Sequence, residues 1–165
     1  MRPAHRNINI YDRLAPALVP DFEVAAAPIG DGAGSHQTKR AYSCLELFYS
    51  RYALHHLPDF WKALALARVA EMLRPGGVFR LSDVVYGFEP HEAEHKIDAW
   101  IAEATSDGVE QDWTRAELAE HVRDEGSTFT WLLEPMIERA GLEIVDAQHD
   151  ASGIFARYVC RRPQP

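Results

Sequence analysis

Hydrophobic and polar positions fall into two regimes along this chain. Before residue 45 they keep no period: Pro3, Pro16, Pro20 and Pro28 interrupt every run, and Gly30-Asp-Gly-Ala-Gly34 leads into polar Ser35 to Arg40. Phe22 to Ile29 is a candidate strand, weakened by its alanines. From Leu45 the pattern becomes regular. Leu45 to Tyr52 is apolar and aromatic enough for a buried strand, and Leu57-Pro58-Asp59 supplies a turn with Asp59 as a candidate N-cap. Phe60 to Leu73 has the spacing of an amphipathic helix, with Trp61, Leu64, Ala65 and Met72 among its apolar positions. Pro75-Gly76-Gly77 stops that helix, and Val78 to Val85 is a second strand. Strand, helix and strand of these lengths predict a parallel βαβ unit.

Three helices follow in the pattern. One covers Glu92 to Ala104. Another covers Thr114 to Asp124, with Thr114 and Glu117 spaced as a capping box, and the last runs from about Thr130 to Ala140, ended by Gly141. Leu142 to Gln148 and Ile154 to Arg161 alternate around Asp150-Ala-Ser-Gly153, which predicts a closing antiparallel hairpin. The chain therefore divides into an irregular segment, 1–44, and an α/β domain, 45–165, with helices inserted over 87–127.

Composition narrows the function classes. A length of 165 residues with 47% hydrophobic side chains suits one domain with a continuous core. A net charge of −8 disfavours nucleic acid as a partner. Cys44 and Cys160 lack the spacing of a disulfide framework or metal cluster, so two buried reduced thiols are expected. No apolar run has the length to cross a bilayer, and the N-terminus has no leader-like apolar stretch, so a cytoplasmic location with no membrane partner is expected.

Two motifs carry a family resemblance: Ala53-Leu-His-His-Leu-Pro-Asp59 after the first strand, and Leu73-Arg-Pro-Gly-Gly77 followed by a strand reaching Asp83. Together they resemble the C-terminal half of the class I S-adenosylmethionine-dependent methyltransferases, over about 70% of the chain, Leu45 to Arg162. The resemblance implies a Rossmann-like, partly parallel sheet from a seven-strand order 3-2-1-4-5-7-6, S-adenosylmethionine as cofactor and a small-molecule methyl acceptor. It places Ser50, Arg51 and Tyr52 beside the cofactor, at a strand end where open parallel sheets bind ligands. Asp83, Tyr86, His91 and Trp100 fall on the acceptor side. Gly30, Gly32 and Gly34 stand where the family's glycine turn meets the methionine moiety, and His56 is the candidate catalytic base.

The family's first half does not fit. Only Ser35 to Cys44, ten residues, separate the glycine run from the strand at Leu45. Two further βαβ units would need about thirty residues each. The N-terminal half is thus expected to be shortened or rearranged, and a cofactor-free dimerising or regulatory module derived from a methyltransferase is the alternative reading. A strand that is apolar on both faces expects cover above, below and at both edges. Residues 1–44 or a second copy of the chain would supply it, so a homo-oligomer is expected.

Other clusters favour structural roles. For His55 and His56 the favoured reading is one imidazole packed and hydrogen-bonded near the strand end, with a role beside cofactor or acceptor as the alternative; neighbouring side chains diverge, so both reaching one metal is awkward. His91 and His95 sit at i, i+4 beside Glu92 and Glu94 without a third ligand at motif spacing, so no metal site is assigned. Trp100, Trp113, Trp131 and Phe129 belong to the core or to an apolar acceptor pocket.

Overall fold

The computed structural model describes residues 45–105 and 113–164. The candidate strand Phe22 to Ile29, the glycines Gly30, Gly32 and Gly34, and Cys44 lie outside the described residues. Strand β1 (Leu45–Arg51) and the long strand β2 (Leu73–Tyr86) are parallel neighbours. They are joined through a 3-10 turn at Leu54–His56 and helix α1 (Asp59–Met72). Helices α2 (Ala93–Ala104) and α3 (Arg115–Asp124) come next, then the short strand β3 (Thr128–Phe129) and helix α4 (Thr130–Arg139). The antiparallel strands β4 (Glu143–His149) and β5 (Phe155–Arg161) close the chain.

The sheet order is β1-β2-β5-β4, with β3 paired in parallel to the last residues of β2. With β1 counted as the fourth strand of the seven-strand order, this is fourth, fifth, seventh and sixth. The mixed α/β class, the parallel pair and the closing hairpin are as the sequence predicts.

Two local details differ from the sequence reading. Pro58, not Asp59, occupies the N-cap of α1, and the Asp59 carboxylate instead accepts a hydrogen bond from Lys62 at 3.0 Å. The Pro75-Gly76-Gly77 turn does not precede β2 but lies inside it: Leu45 pairs with Leu73 and Leu47 with Val78, so the ladder slips at this point. Gly76, at φ +78°, makes the slip without strain, and its N–H donates to the Arg162 carbonyl at 2.8 Å.

Residues from 45 onward cover β1 unevenly. Phe48 and Ser50 face the main core, where Phe79, Leu81, Tyr158 and Cys160 meet Leu66 and Val69 of α1 and Leu133 and Ile137 of α4. The opposite face is covered by α2 only near the C-terminal end of β2, where Ile97 and Trp100 pack on Val84 and Tyr86. Further back, Leu47 and Tyr49 remain 40% and 37% exposed. Among the described residues β1 is the outer strand of the sheet, with helices on one side of it rather than both. No helix among them is long and apolar enough to cross a membrane.

Two predictions follow from this core. Leu66 is fully buried and Phe60 is 62% exposed. Leu66→Ala is expected to cost about 2–5 kcal/mol in urea unfolding, and Phe60→Ala to stay within about 0.5 kcal/mol. Burial pushes the Cys160 thiol up to about 12, so at neutral pH it is a protonated, shielded thiol. Peptide-resolved labelling with N-ethylmaleimide should leave Cys160 unmodified in the native chain and modify it fully in denaturant.

Candidate functional site

Parallel strands direct their carboxyl ends to one rim, and at the rim of β1 and β2 a cavity of about 830 Å³ opens. Tyr52, His55 and His56 form its wall on the β1 side, Trp100 and Phe155 face them, and Leu118, His121 and Glu125 of the α3 region complete it. The wall is built around a buried carboxylate. Asp83, 1% exposed, accepts hydrogen bonds from the Leu54 N–H at 2.7 Å, the Val84 N–H at 2.9 Å and His55 Nδ1 at 2.5 Å. Because an ionised carboxylate only accepts, His55 carries its proton on Nδ1, which leaves the Nε2 lone pair free.

His56 follows His55 in the 3-10 turn, where consecutive side chains are rotated by about 120° instead of alternating as in a strand. The two rings therefore lie side by side, with centroids 4.0 Å apart, and do not diverge as the sequence reading expects. His56 is about half exposed and its Nδ1 lies 2.6 Å from Glu125 Oε2. His121, one helical turn before Glu125, places Nδ1 3.7 Å from Glu125 Oε1, and its ring centroid is 5.2 Å from that of His55. Burial lowers the His121 pKa against the pull of Glu125, so this ring is held neutral.

Glu125 is brought here by interactions far from it in sequence. The Thr114–Glu117 capping box starts α3 as predicted: Glu117 N–H donates to Thr114 Oγ1 at 3.3 Å and Thr114 N–H to Glu117 Oε2 at 2.8 Å. After α3, the Gly126 carbonyl accepts from the ammonium of Lys62, whose side chain is 2% exposed. A Cβ at Gly126 would stand 2.3 Å from the Leu57 carbonyl oxygen, so the two segments touch backbone to backbone. Only glycine permits that approach.

The residues named from the sequence reach this cavity unevenly. His56, Tyr52 and Trp100 line it. Ser50, 2% exposed, points into the core with its hydroxyl unpartnered, and Arg51 lies on the open sheet face with its guanidinium 5.0 Å above the Tyr52 ring. The three strand-end residues thus diverge instead of flanking one ligand together, because side chains alternate along a strand. Asp83 is closed off behind His55 and does not line this cavity. Tyr86 is buried in an aromatic cluster with Phe88 and Phe129, where burial raises its phenol pKa. His91 is exposed in the 3-10 turn Pro90–Glu92, away from the residues that line the cavity. Glu125, His121, Lys62 and Gly126 are absent from the sequence reading. The i, i+4 spacing of His121 and Glu125 is the one local signal that could have found any of them.

Gly126→Ala should therefore separate Glu125 from His56 and cost about 1–3 kcal/mol in thermal or urea unfolding. A variant as stable as the parent would contradict the close backbone packing.

No protein-family model matches the sequence, and no curated protein sequence matches it. Solved structures do. An O-methyltransferase family protein from Burkholderia thailandensis superposes with a TM-score of 0.50 at 11% identity, over 75% of this chain and 32% of that one. An O-methyltransferase family 2 protein from Planctomyces limnophilus gives 0.48 at 19% identity, over 72% and 30%. A possible exported protein from Bordetella parapertussis gives 0.49 at 18% identity, over 77% and 43%. The chain spans about a third to less than half of the length of these three proteins. At such identities the likeness speaks to the fold alone: the partly parallel sheet with its antiparallel hairpin is a methyltransferase fold.

Proposed function

We propose that this chain carries the acceptor side of an S-adenosylmethionine-dependent methyltransferase, with a small molecule as methyl acceptor. The observation that carries the reading is the His56–Glu125 pair, 2.6 Å apart, on the wall of a rim cavity large enough for a small-molecule ligand. Glu125 accepts from Nδ1–H and holds the ring so that Nε2 can take a proton from an acceptor O–H or N–H. The resulting imidazolium is stabilised by the same carboxylate. Trp100 and Phe155, in edge contact at 5.9 Å, bound the apolar side of the acceptor and exclude water.

The described residues suit a sulfonium cofactor in one respect: the lining holds the aromatic faces of Tyr52, Trp100 and Trp113 and the carboxylates of Glu120 and Glu125, without lysine or arginine. S-adenosylmethionine, when bound, supplies the methyl group as an electrophile. Tyr52 is the proposed cofactor contact on β1, and Gly30, Gly32 and Gly34 are the proposed contacts for its methionine moiety.

A second reading is favoured by the open face of β1. Exposed Leu47 and Tyr49 on an outer strand suit a cofactor-free module that pairs with a second copy of the chain. Calorimetric titration with S-adenosylhomocysteine separates the two. Saturable heat is expected, and its absence together with a dimer in light scattering would favour the module. With an acceptor found by screening, His56→Ala should lower kcat by about 10²–10⁴-fold and leave S-adenosylhomocysteine affinity unchanged.

A further inference from the structure

His55, His56 and Glu125 each offer a ligand atom, and these atoms lie within 4.8 Å of one another. We infer that these three side chains form a binding site for a divalent transition-metal ion of borderline softness, such as zinc or cobalt(II). The inference stands apart from methyl transfer and needs neither cofactor nor acceptor.

The donor set decides the class of ion. Two imidazoles and one carboxylate suit zinc, cobalt(II) and nickel(II), whereas magnesium and calcium take oxygen donors. Three protein ligands facing a cavity leave a fourth position open, which is the arrangement of an exchangeable site and not of a closed structural one.

The second observation is Asp83. Metal-binding histidines characteristically donate their other ring N–H to a carboxylate, which fixes the tautomer and makes the free nitrogen a better ligand. His55 is held in that way, by a buried carboxylate 2.5 Å from Nδ1 that itself takes two backbone N–H groups. This is more support than one packed imidazole needs. His55 is thus the fixed ligand, and the half-exposed His56 and the partly exposed Glu125 are the adjustable ones. In a tetrahedral site with bonds of about 2.0–2.1 Å, ligand atoms stand ~3.3 Å apart.

Surrounding charge favours a cation. Glu117, Glu120 and Asp124 also line the cavity, and the ammonium of Lys62, which contacts the Gly126 carbonyl, is paired with Asp59 at 3.0 Å. His121, with its ring centroid 5.2 Å from that of His55, is placed to hydrogen-bond a water in the open position. An ion held by His56 takes the imidazole out of use as a base, so the loaded site is an alternative to the proton-accepting one.

The test is titration of the untagged full chain with cobalt(II), read by visible absorption and calorimetry, with zinc as competitor. One equivalent should bind, with d–d bands of four- or five-coordinate cobalt that zinc displaces. His56→Ala and Glu125→Gln, both at partly exposed positions, should each weaken binding by more than about 100-fold and keep a native circular dichroism spectrum. Asp83→Asn acts through His55 and should weaken it by about 10–100-fold. His91→Ala should change nothing. Absence of cobalt and zinc uptake by the parent chain would overturn the inference. So would uptake that survives both His56→Ala and Glu125→Gln, or that His91→Ala abolishes.

Discussion

The rim of this fold depends on one buried charge. Asp83 stands in the helix-facing row of β2 between Leu81 and Val85, and its carboxylate is kept from water by the turn that it organises. A bare carboxylate in such a place would be strongly unfavourable, and three N–H donors make it tolerable. Two of the three, from Leu54 and His55, tie the chain after β1 to the end of β2, and the second of them fixes the His55 tautomer. The cavity wall is therefore a consequence of satisfying Asp83.

From that point the site extends through tertiary contacts. His56 is presented by the turn that Asp83 holds. Glu125 is presented by the end of α3, which Lys62 and the glycine contact at Leu57 press against the same turn. A buried lysine bound to a backbone carbonyl and to Asp59 is an uncommon way to anchor a loop, and here it joins α1 to a segment more than sixty residues away. The inserted helices are thus fastened to the strand–helix–strand unit at the place where chemistry would occur. The sheet supplies the direction of the rim and the inserted helices supply most of its polar groups.

Much of the fold was legible in the sequence because it rests on local signals. An apolar and aromatic run located β1, helical spacing located α1, the glycine turn separated it from β2, and the capping box located the start of α3. The alternating segments around Asp150 located the hairpin. The site was legible only where a motif crossed it, at His56 and Tyr52, with Trp100 from the inserted helix. Glu125 and Lys62 carry no local signal, since the partner of Glu125 is 69 residues away in sequence and that of Lys62 is 64. Asp83 was placed on the acceptor side by the family resemblance, and nothing local shows three N–H donors converging on it. The divergence of Ser50, Arg51 and Tyr52, by contrast, could have been read from strand alternation alone.

The claim on which the rest stands is that the Asp83 carboxylate holds His55 protonated on Nδ1 at the strand rim. Long-range ¹H–¹⁵N correlation spectra of the histidine side chains test it directly. The account predicts a His55 Nδ1–H signal that is far downfield, exchanges slowly and disappears in Asp83→Asn. A His55 ring protonated on Nε2, or one in fast exchange with water, would contradict it.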